Sequence, residues 1–549
     1  MSTLTPARAR RTPPRSRRVL AAVAGALALL AVTACSGDDE RPRERGPGVE
    51  SRPAEDSYPG LSEELAGQRL RWGPCEAPTP LQGEGTAPGE EWQCSTLTVP
   101  LDWDQPDGGT IDLALIRSRT TASAEDRVGS LVFNFGGPGG SGVLSLPQFG
   151  TEYQELREGG FDLVSFDPRG VGDSAPVTCL DDATTDAEAQ EPGGPPENAA
   201  EEREFTRENE EYYAACEANA GELLPHVTTA NTARDMDLLR HALGDDRLHY
   251  FGISYGTQLG GVYAHLFPER VGRTVLDAVV DPTPDRLAQT RLDLEGFQLA
   301  LDHYLQHCVE FERQDCPIGS DAEAGNGLLA DLVEQLEETP APTSDPNGRR
   351  LTADLAMTGI IASLYSEESW EYLTQGLQEL FWTSTGDTLL LLADFYNGRD
   401  AQGRYSNQNA ALTAIRCADD PSGMSIAELR EYREEFMETS PLFGEWMVWG
   451  LSGCEGWPVP ADQTERPRYA AEDAAEPILL VANTGDPATP YAGAGRMQEA
   501  MGGPEVAPLL TYHGEGHSAY TTGDTCVVNT VNAHLLEGTV PQDGHTCGE

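Results

Sequence analysis

At 549 residues, with 39% hydrophobic and 23% charged residues, the chain suits a soluble globular protein larger than one compact core, so a main domain with a large insertion or second lobe is expected. Its formal net charge is −53, and it contains no lysine, every basic residue apart from histidine being arginine. So acidic a surface excludes nucleic acid as a partner, because a phosphate backbone requires a cationic footprint, while charge spread over a whole surface sets no preference for one pocket.

At the N-terminus, Arg8, Arg10, Arg11, Arg15, Arg17 and Arg18 precede an apolar run from Val19 to Val32, with no acidic residue before Asp38. This is the charged and apolar pair of regions of an export signal, and the apolar run is too short for a comfortable membrane span. The run ends Val32-Thr33-Ala34-Cys35, which resembles a bacterial lipobox. Residues 1–34 are therefore expected to be a signal peptide, Cys35 the lipidated first residue of the mature chain, and 35–70 a polar tether. Ordinary cleavage near Ala34, with Cys35 incidental, is the alternative. A lipid on Cys35 is the only membrane attachment expected. Without Cys35 the eleven cysteines become ten, an even set that reads as disulfides in an oxidising compartment. Neighbours in sequence suggest Cys75–Cys94, Cys179–Cys216, Cys308–Cys316, Cys417–Cys454 and Cys526–Cys547, although sequence alone does not fix the pairing. A zinc site competes for such residues, but no C-x-x-C pair or close histidine cluster supports one, and no metal is expected.

In chain order, residues 93–100 and 111–116 alternate like strands about an Asp107-Gly108-Gly109 turn. Residues 130–135 form a short apolar strand that runs into Gly136-Gly137-Pro138-Gly139-Gly140, and 161–166 form another, ending at Asp167-Pro168-Arg169-Gly170. Further strands are expected over 247–252 and 274–280, with helical spacing over 232–243 and 257–267. This alternation predicts an α/β fold with a mostly parallel sheet covered by helices on both faces. Residues 181–220, acidic and rich in proline and glycine near 192–196, read as an exposed excursion pinned by Cys179 and Cys216. Residues 281–476 are mainly helical in pattern and are expected as a cap inserted between 71–280 and 477–549, the two parts of the core. Strand patterns return at 478–483 and 509–512.

Gly252-Ile253-Ser254-Tyr255-Gly256 fits G-x-S-x-G between a strand and a helix, where a tight turn exposes the serine. A serine hydroxyl needs a base to take its proton. In a fold of this kind the acid follows a late strand and the histidine follows the last one. Asp486, in Asn483-Thr484-Gly485-Asp486-Pro487, and His517, in Gly514-Glu515-Gly516-His517-Ser518, occupy those places, with Asp277 and Asp281 as second choices for the acid. The N–H groups of Tyr255 and Gly137 are the candidates for stabilising an oxyanion. Gly137, Gly139 and Gly142 also fall in the G-x-G-x-x-G register of a dinucleotide cradle, but Pro147 interrupts the helix that should follow, and an exported protein has little access to the cofactor. No cofactor is expected.

These segments resemble a known group. Phe135 to Gly142 is similar to the H-G-G-P-G loop of proline iminopeptidase relatives, with Phe135 where histidine is usual, and Phe166 to Ser174 resembles their D-x-R-G-x-G-x-S segment. The loops holding Ser254, Asp486 and His517, with the Leu97-Thr98-Val99-Pro100-Leu101-Asp102-Trp103 run, look like the secreted tripeptidyl aminopeptidases of actinobacteria, over about Cys75 to Cys547. The resemblance implies an α/β-hydrolase fold and release of short peptides, typically tripeptides, from substrates with a free N-terminus. An enzyme that counts from the amine needs a carboxylate for a desolvated ammonium, and Asp419 and Asp420 are the candidates. The alternatives are an esterase or lipase on the same triad and a non-catalytic solute-binding lipoprotein.

Overall fold

The computed structural model describes residues 58–548 apart from 192–193, 197, 284 and 460–466, so residues 1–34 and Cys35 lie outside it. Its strands are β1 Gly73–Pro74, β2 Trp92–Pro100, β3 Thr110–Ser118, β4 Gly129–Asn134, β5 Phe161–Phe166, β6 Leu248–Ile253, β7 Val271–Asp277, β8 Ala341–Pro342, β9 Arg350–Leu351, β10 Ile478–Gly485, β11 Leu509–Glu515 and β12 His545–Cys547. All but β8 and β9 form one ten-stranded sheet in the order β1-β2-β3-β5-β4-β6-β7-β10-β11-β12. Pairing is parallel from β5 through to β12 and antiparallel among β1, β2, β3 and β5.

Central strands bury apolar residues on both sides because both faces are covered. In β10, Ile478 and Leu480 join the hydrophobic cluster on one face, while Leu479 and Val481 join that on the other. Val132 and Tyr250 likewise face opposite to Phe133 and Phe251. β7 stops at Asp277, short of the expected end at 280, because Ala278 takes a φ of 57° and turns the chain out of the sheet.

Residues 281–476, expected as one cap, divide between two hydrophobic clusters. The Arg286–His307 helix packs Leu294, Phe297 and Leu301 with Leu355, Ile360, Leu389, Phe436 and Trp449 in a cluster of its own. The Gln408–Asp419 helix instead buries Ala411, Ala414, Ile415 and Ala418 in the cluster against the sheet. The acidic stretch read as an exposed excursion is two helices, Asp182–Ala189 and Ala199–Ala220, that dock on this layer. Phe205 meets the Trp449 ring at 5.5 Å, and Arg399 donates to both Asp186 oxygens at 2.8 and 3.0 Å. The stretch hides its helices from sequence because Tyr213 and Cys216 are the buried side chains in 22 residues. The five cysteine pairs suggested by sequence are all bonded.

One buried ion pair locks three segments together. Arg169, just after β5, donates through Nε and Nη2 to the two oxygens of Asp235, both at 2.7 Å, with both side chains 0% exposed. Arg169 also donates to the carbonyls of Pro100, Leu101 and His226, and Trp103 Nε1 donates to Asp235 at 2.9 Å. The Leu-Asp-Trp run and the Asp-Pro-Arg-Gly loop are thus parts of one contact. Removing one member of such a pair leaves an uncompensated buried charge. Arg169→Leu is expected to lower stability by about 3–5 kcal/mol, read as a lower urea midpoint at unchanged slope; a midpoint unmoved from wild type would contradict this.

Candidate active site

Ser254 sits between β6 and the Tyr255–Leu266 helix with φ 57° and ψ −124°. A non-glycine residue there costs about 1–3 kcal/mol and is held by its surroundings. Its N–H donates to the Asp277 carbonyl at 3.0 Å. Its carbonyl accepts from the Thr257 hydroxyl at 2.7 Å, and that hydroxyl accepts from the Val280 N–H at 3.0 Å. A side chain at position 256 would come within 2.6 Å of the Asn134 carbonyl, which is why glycine follows the elbow.

Asp486 follows β10 and is 2% exposed. Its Oδ1 accepts from the Ala488 and Thr489 N–H groups, each at 2.9 Å, and its Oδ2 accepts from the Thr489 hydroxyl at 2.8 Å. So oriented, it faces His517 Nδ1 at 2.9 and 3.0 Å. A carboxylate at Nδ1 favours the tautomer with the ring proton on Nδ1, in which Nε2 carries the lone pair. Burial pulls the His517 pKa down, but the charge and hydrogen bond of Asp486, with the charge of Asp277 behind them, raise it above the ordinary histidine value overall.

Asp277, the second choice for the acid, does not touch the imidazole by hydrogen bond. Its buried carboxylate accepts from Ser518 Oγ at 2.7 Å and from the Ala519 and Tyr520 N–H groups at 3.0 Å. One residue therefore holds the Ser254 backbone through its carbonyl and the segment after His517 through its carboxylate. Asp281, the other alternative, pairs with Arg496. No direct hydrogen bond joins Ser254 Oγ to His517 among the described residues; such contacts tighten when substrate is engaged.

The glycine loop closes on the nucleophile from the other side. A Cβ at Gly136 would lie 2.9 Å from Ser254 Cβ and 3.3 Å from the Tyr255 nitrogen. The Gly136 N–H donates to Asn134 Oδ1 at 3.1 Å. Phe135 stacks on Phe133 and Phe149 at 5.9 and 5.7 Å between ring centroids.

Asp419 and Asp420, the candidates for a substrate ammonium, both have partners within the chain. Asp419 is buried, and its two oxygens accept from the Thr229 N–H at 2.8 Å and the Thr229 hydroxyl at 2.5 Å. Thr229 Oγ1 lies 2.7 Å from the Tyr255 hydroxyl, which links Asp419 through Thr229 to the residue after Ser254. Asp420 accepts from the Ser422 N–H at 3.0 Å and its carbonyl takes the Arg286 guanidinium at 2.7 Å.

Sequence reasoning missed Tyr365. Its carbonyl accepts from the His517 N–H at 2.8 Å, and its ring meets the imidazole edge-on at 5.3 Å between centroids. It sits in no motif, and no pattern could have found it. Asn483 Nδ2 donates to the Gly516 carbonyl at 2.7 Å, a link between the Asn-Thr-Gly-Asp and Gly-His-Ser loops. Beside His517 opens a cavity of about 210 Å³ lined by Tyr365, Glu367, Glu368, Glu515 and Thr521.

Fold and site together define a serine hydrolase of the α/β-hydrolase class. The chain belongs to the tripeptidyl aminopeptidase-related family of these enzymes, on whole-length similarity. It is 38% identical to the serine protease Hip1 of Mycobacterium tuberculosis over 505 residues, 89% of this chain and 92% of that one. It is 35% identical to carboxylesterase B of the same species, covering 83% and 86% of the two chains, and 32% identical to the tripeptidyl aminopeptidase of Streptomyces lividans, covering 83% of each. The family model described as TAP-like protein matches residues 440–547, which carry Asp486 and His517.

The base must be neutral to accept a proton, so kcat/KM should rise with pH through the elevated His517 pKa. Asp486→Asn removes the charge that raises it. The variant is expected to lose about 10⁴-fold in kcat, and the midpoint of its residual pH–rate profile should move to lower pH. A midpoint and rate matching wild type would contradict the assignment.

Proposed function

We propose that the protein is an exported serine exopeptidase that releases short peptides, tripeptides foremost, from substrates with a free N-terminus through an acyl-enzyme on Ser254. The observation that carries this reading is the roof over the site. The Arg286–His307 helix lies so close on the acid loop that a Cβ at Gly296 would come within 2.8 Å of Pro490, and Tyr365 stands over His517. An endopeptidase must pass a continuous chain across its nucleophile, whereas a roofed site favours a chain end. The relatives named serine protease and tripeptidyl aminopeptidase support peptide bonds as the target.

In this mechanism His517 Nε2 takes the Ser254 hydroxyl proton as Oγ attacks the scissile carbonyl, and Asp486 stabilises the resulting imidazolium. The N–H groups of Tyr255 and Gly137 bind the oxyanion. The imidazolium then protonates the departing amine, and water, activated by the same base, releases the acyl group. Export is supported by the arginine-rich, apolar N-terminal pattern and by five disulfides, which persist in oxidising compartments. Attachment through a lipid on Cys35 belongs to the same reading. Among the described residues no helix is long and apolar enough to cross a membrane.

An esterase on the same residues is the second reading, favoured by the relative named carboxylesterase B. An unblocked tripeptide anilide and its N-acetylated twin separate the two. The peptidase reading expects the free-amine substrate to be turned over at least about tenfold faster in kcat/KM, the factor for about 1.4 kcal/mol of amine recognition. Equal turnover, or cleavage of p-nitrophenyl esters alone, would contradict it.

A further inference from the structure

An aminopeptidase of this kind needs a carboxylate for the substrate ammonium, and Asp419 is already engaged by Thr229. Exposed acids serve poorly, because water screens them from a bound cation. Glu367 and Glu368, on the rim of the cavity beside His517, are exposed in this way. The carboxylate required should be shielded, on the roof of the site, and short of partners.

Asp293 meets these conditions. It lies in the Arg286–His307 helix, three residues before Gly296, which rests on the acid loop at Pro487 and Pro490. It stands four residues before Phe297, and residues four apart share a helix face. Phe297 meets the Tyr365 ring at 5.8 Å, and Tyr365 meets His517 at 5.3 Å. Two ring contacts and one helical turn thus connect Asp293 to the base. Among the described residues its carboxylate accepts one hydrogen bond, from Gln289 Nε2 to Oδ1 at 2.7 Å. Burial pushes its carboxyl up to about 6, with the Gln289 hydrogen bond and the charge of Arg416 acting against burial. The field of Arg416, on the Gln408–Asp419 helix, also reaches the Tyr365 hydroxyl, which puts Asp293, Arg416 and Tyr365 in one neighbourhood.

We propose that Asp293 is the specificity-determining carboxylate that receives the substrate's α-ammonium, on the roof helix one turn from the Phe297–Tyr365–His517 ring stack. The ammonium pairs with the Asp293 oxygen not used by Gln289, and the distance from there to Ser254 fixes how many residues are released. This rests on the exopeptidase reading above.

The test compares wild type and Asp293→Asn on the tripeptide anilide, its N-acetylated twin, and p-nitrophenyl acetate, which has no amine. Asp293→Asn is expected to raise KM for the free-amine substrate by about tenfold to a hundredfold, the factor for one charge-assisted hydrogen bond, with kcat changed less than about threefold. Turnover of the acetylated peptide and of the ester should stay at the wild-type level, which also reports that the variant is folded. Asp293→Glu should restore part of the preference. If wild type prefers the free amine and Asp293→Asn keeps that preference, or if the preference is lost in Glu368→Gln instead, the assignment is overturned while the exopeptidase reading stands. If wild type shows no preference, both fall. An equal drop on all three substrates, matched by Arg416→Gln, would mean that Asp293 only holds Arg416 in place, and would also overturn the assignment.

Discussion

The site depends on the Asp277 carboxylate at the end of β7. A hydroxyl and an imidazole 263 positions apart in sequence must be brought within hydrogen-bond reach, about 3 Å, before one can take the other's proton. Asp277 spans that gap with one residue: its carbonyl holds the Ser254 N–H, and its buried carboxylate gathers Ser518, Ala519 and Tyr520. Burying a carboxylate is costly unless hydrogen bonds replace its water, and here three donors do so. The strained Ser254 backbone is tolerable for the same reason, being fixed from β7 on one side and from Thr257 and Val280 on the other. Two aspartates near the histidine thus divide the work: Asp486 sets the imidazole's proton and charge, and Asp277 sets where its loop sits.

The roof is coupled to this frame through few contacts. Tyr365 caps the His517 loop with a carbonyl and a ring, and Gly296 lets the long roof helix settle on the acid loop. His303, further along that helix, meets Glu515 at 2.9 Å, two residues before His517. The roof has a hydrophobic cluster of its own, separate from the two clusters that pack on the sheet. That division suits a family whose named relatives include both a protease and a carboxylesterase.

What could be read from sequence tracks where the physics is local. Strands β4, β5, β6 and β10 were legible because burial on both faces leaves short, mostly apolar runs. Ser254, Asp486 and His517 were legible as candidates because each sits in a glycine-rich turn that must follow a strand. The Ala199–Ala220 helix was not, since it is mostly polar with few buried positions and its burial comes from isolated contacts such as Phe205 on Trp449. The same limit applied to Asp419, where the choice among many carboxylates turned on a partner, Thr229, that is 190 positions away. Tyr365 and Asp293 carry no local signal at all, because their meaning comes from the elements that fold brings against them.

The most direct test of the account is where a covalent probe lands. The mature protein, treated with a fluorophosphonate and digested, should carry one adduct per chain, on Ser254 in the peptide containing Gly252-Ile253-Ser254-Tyr255-Gly256, with labelling lost in His517→Ala. An adduct on another residue, or no adduct in protein that hydrolyses substrate, would contradict the claim that Ser254 is the nucleophile activated by His517.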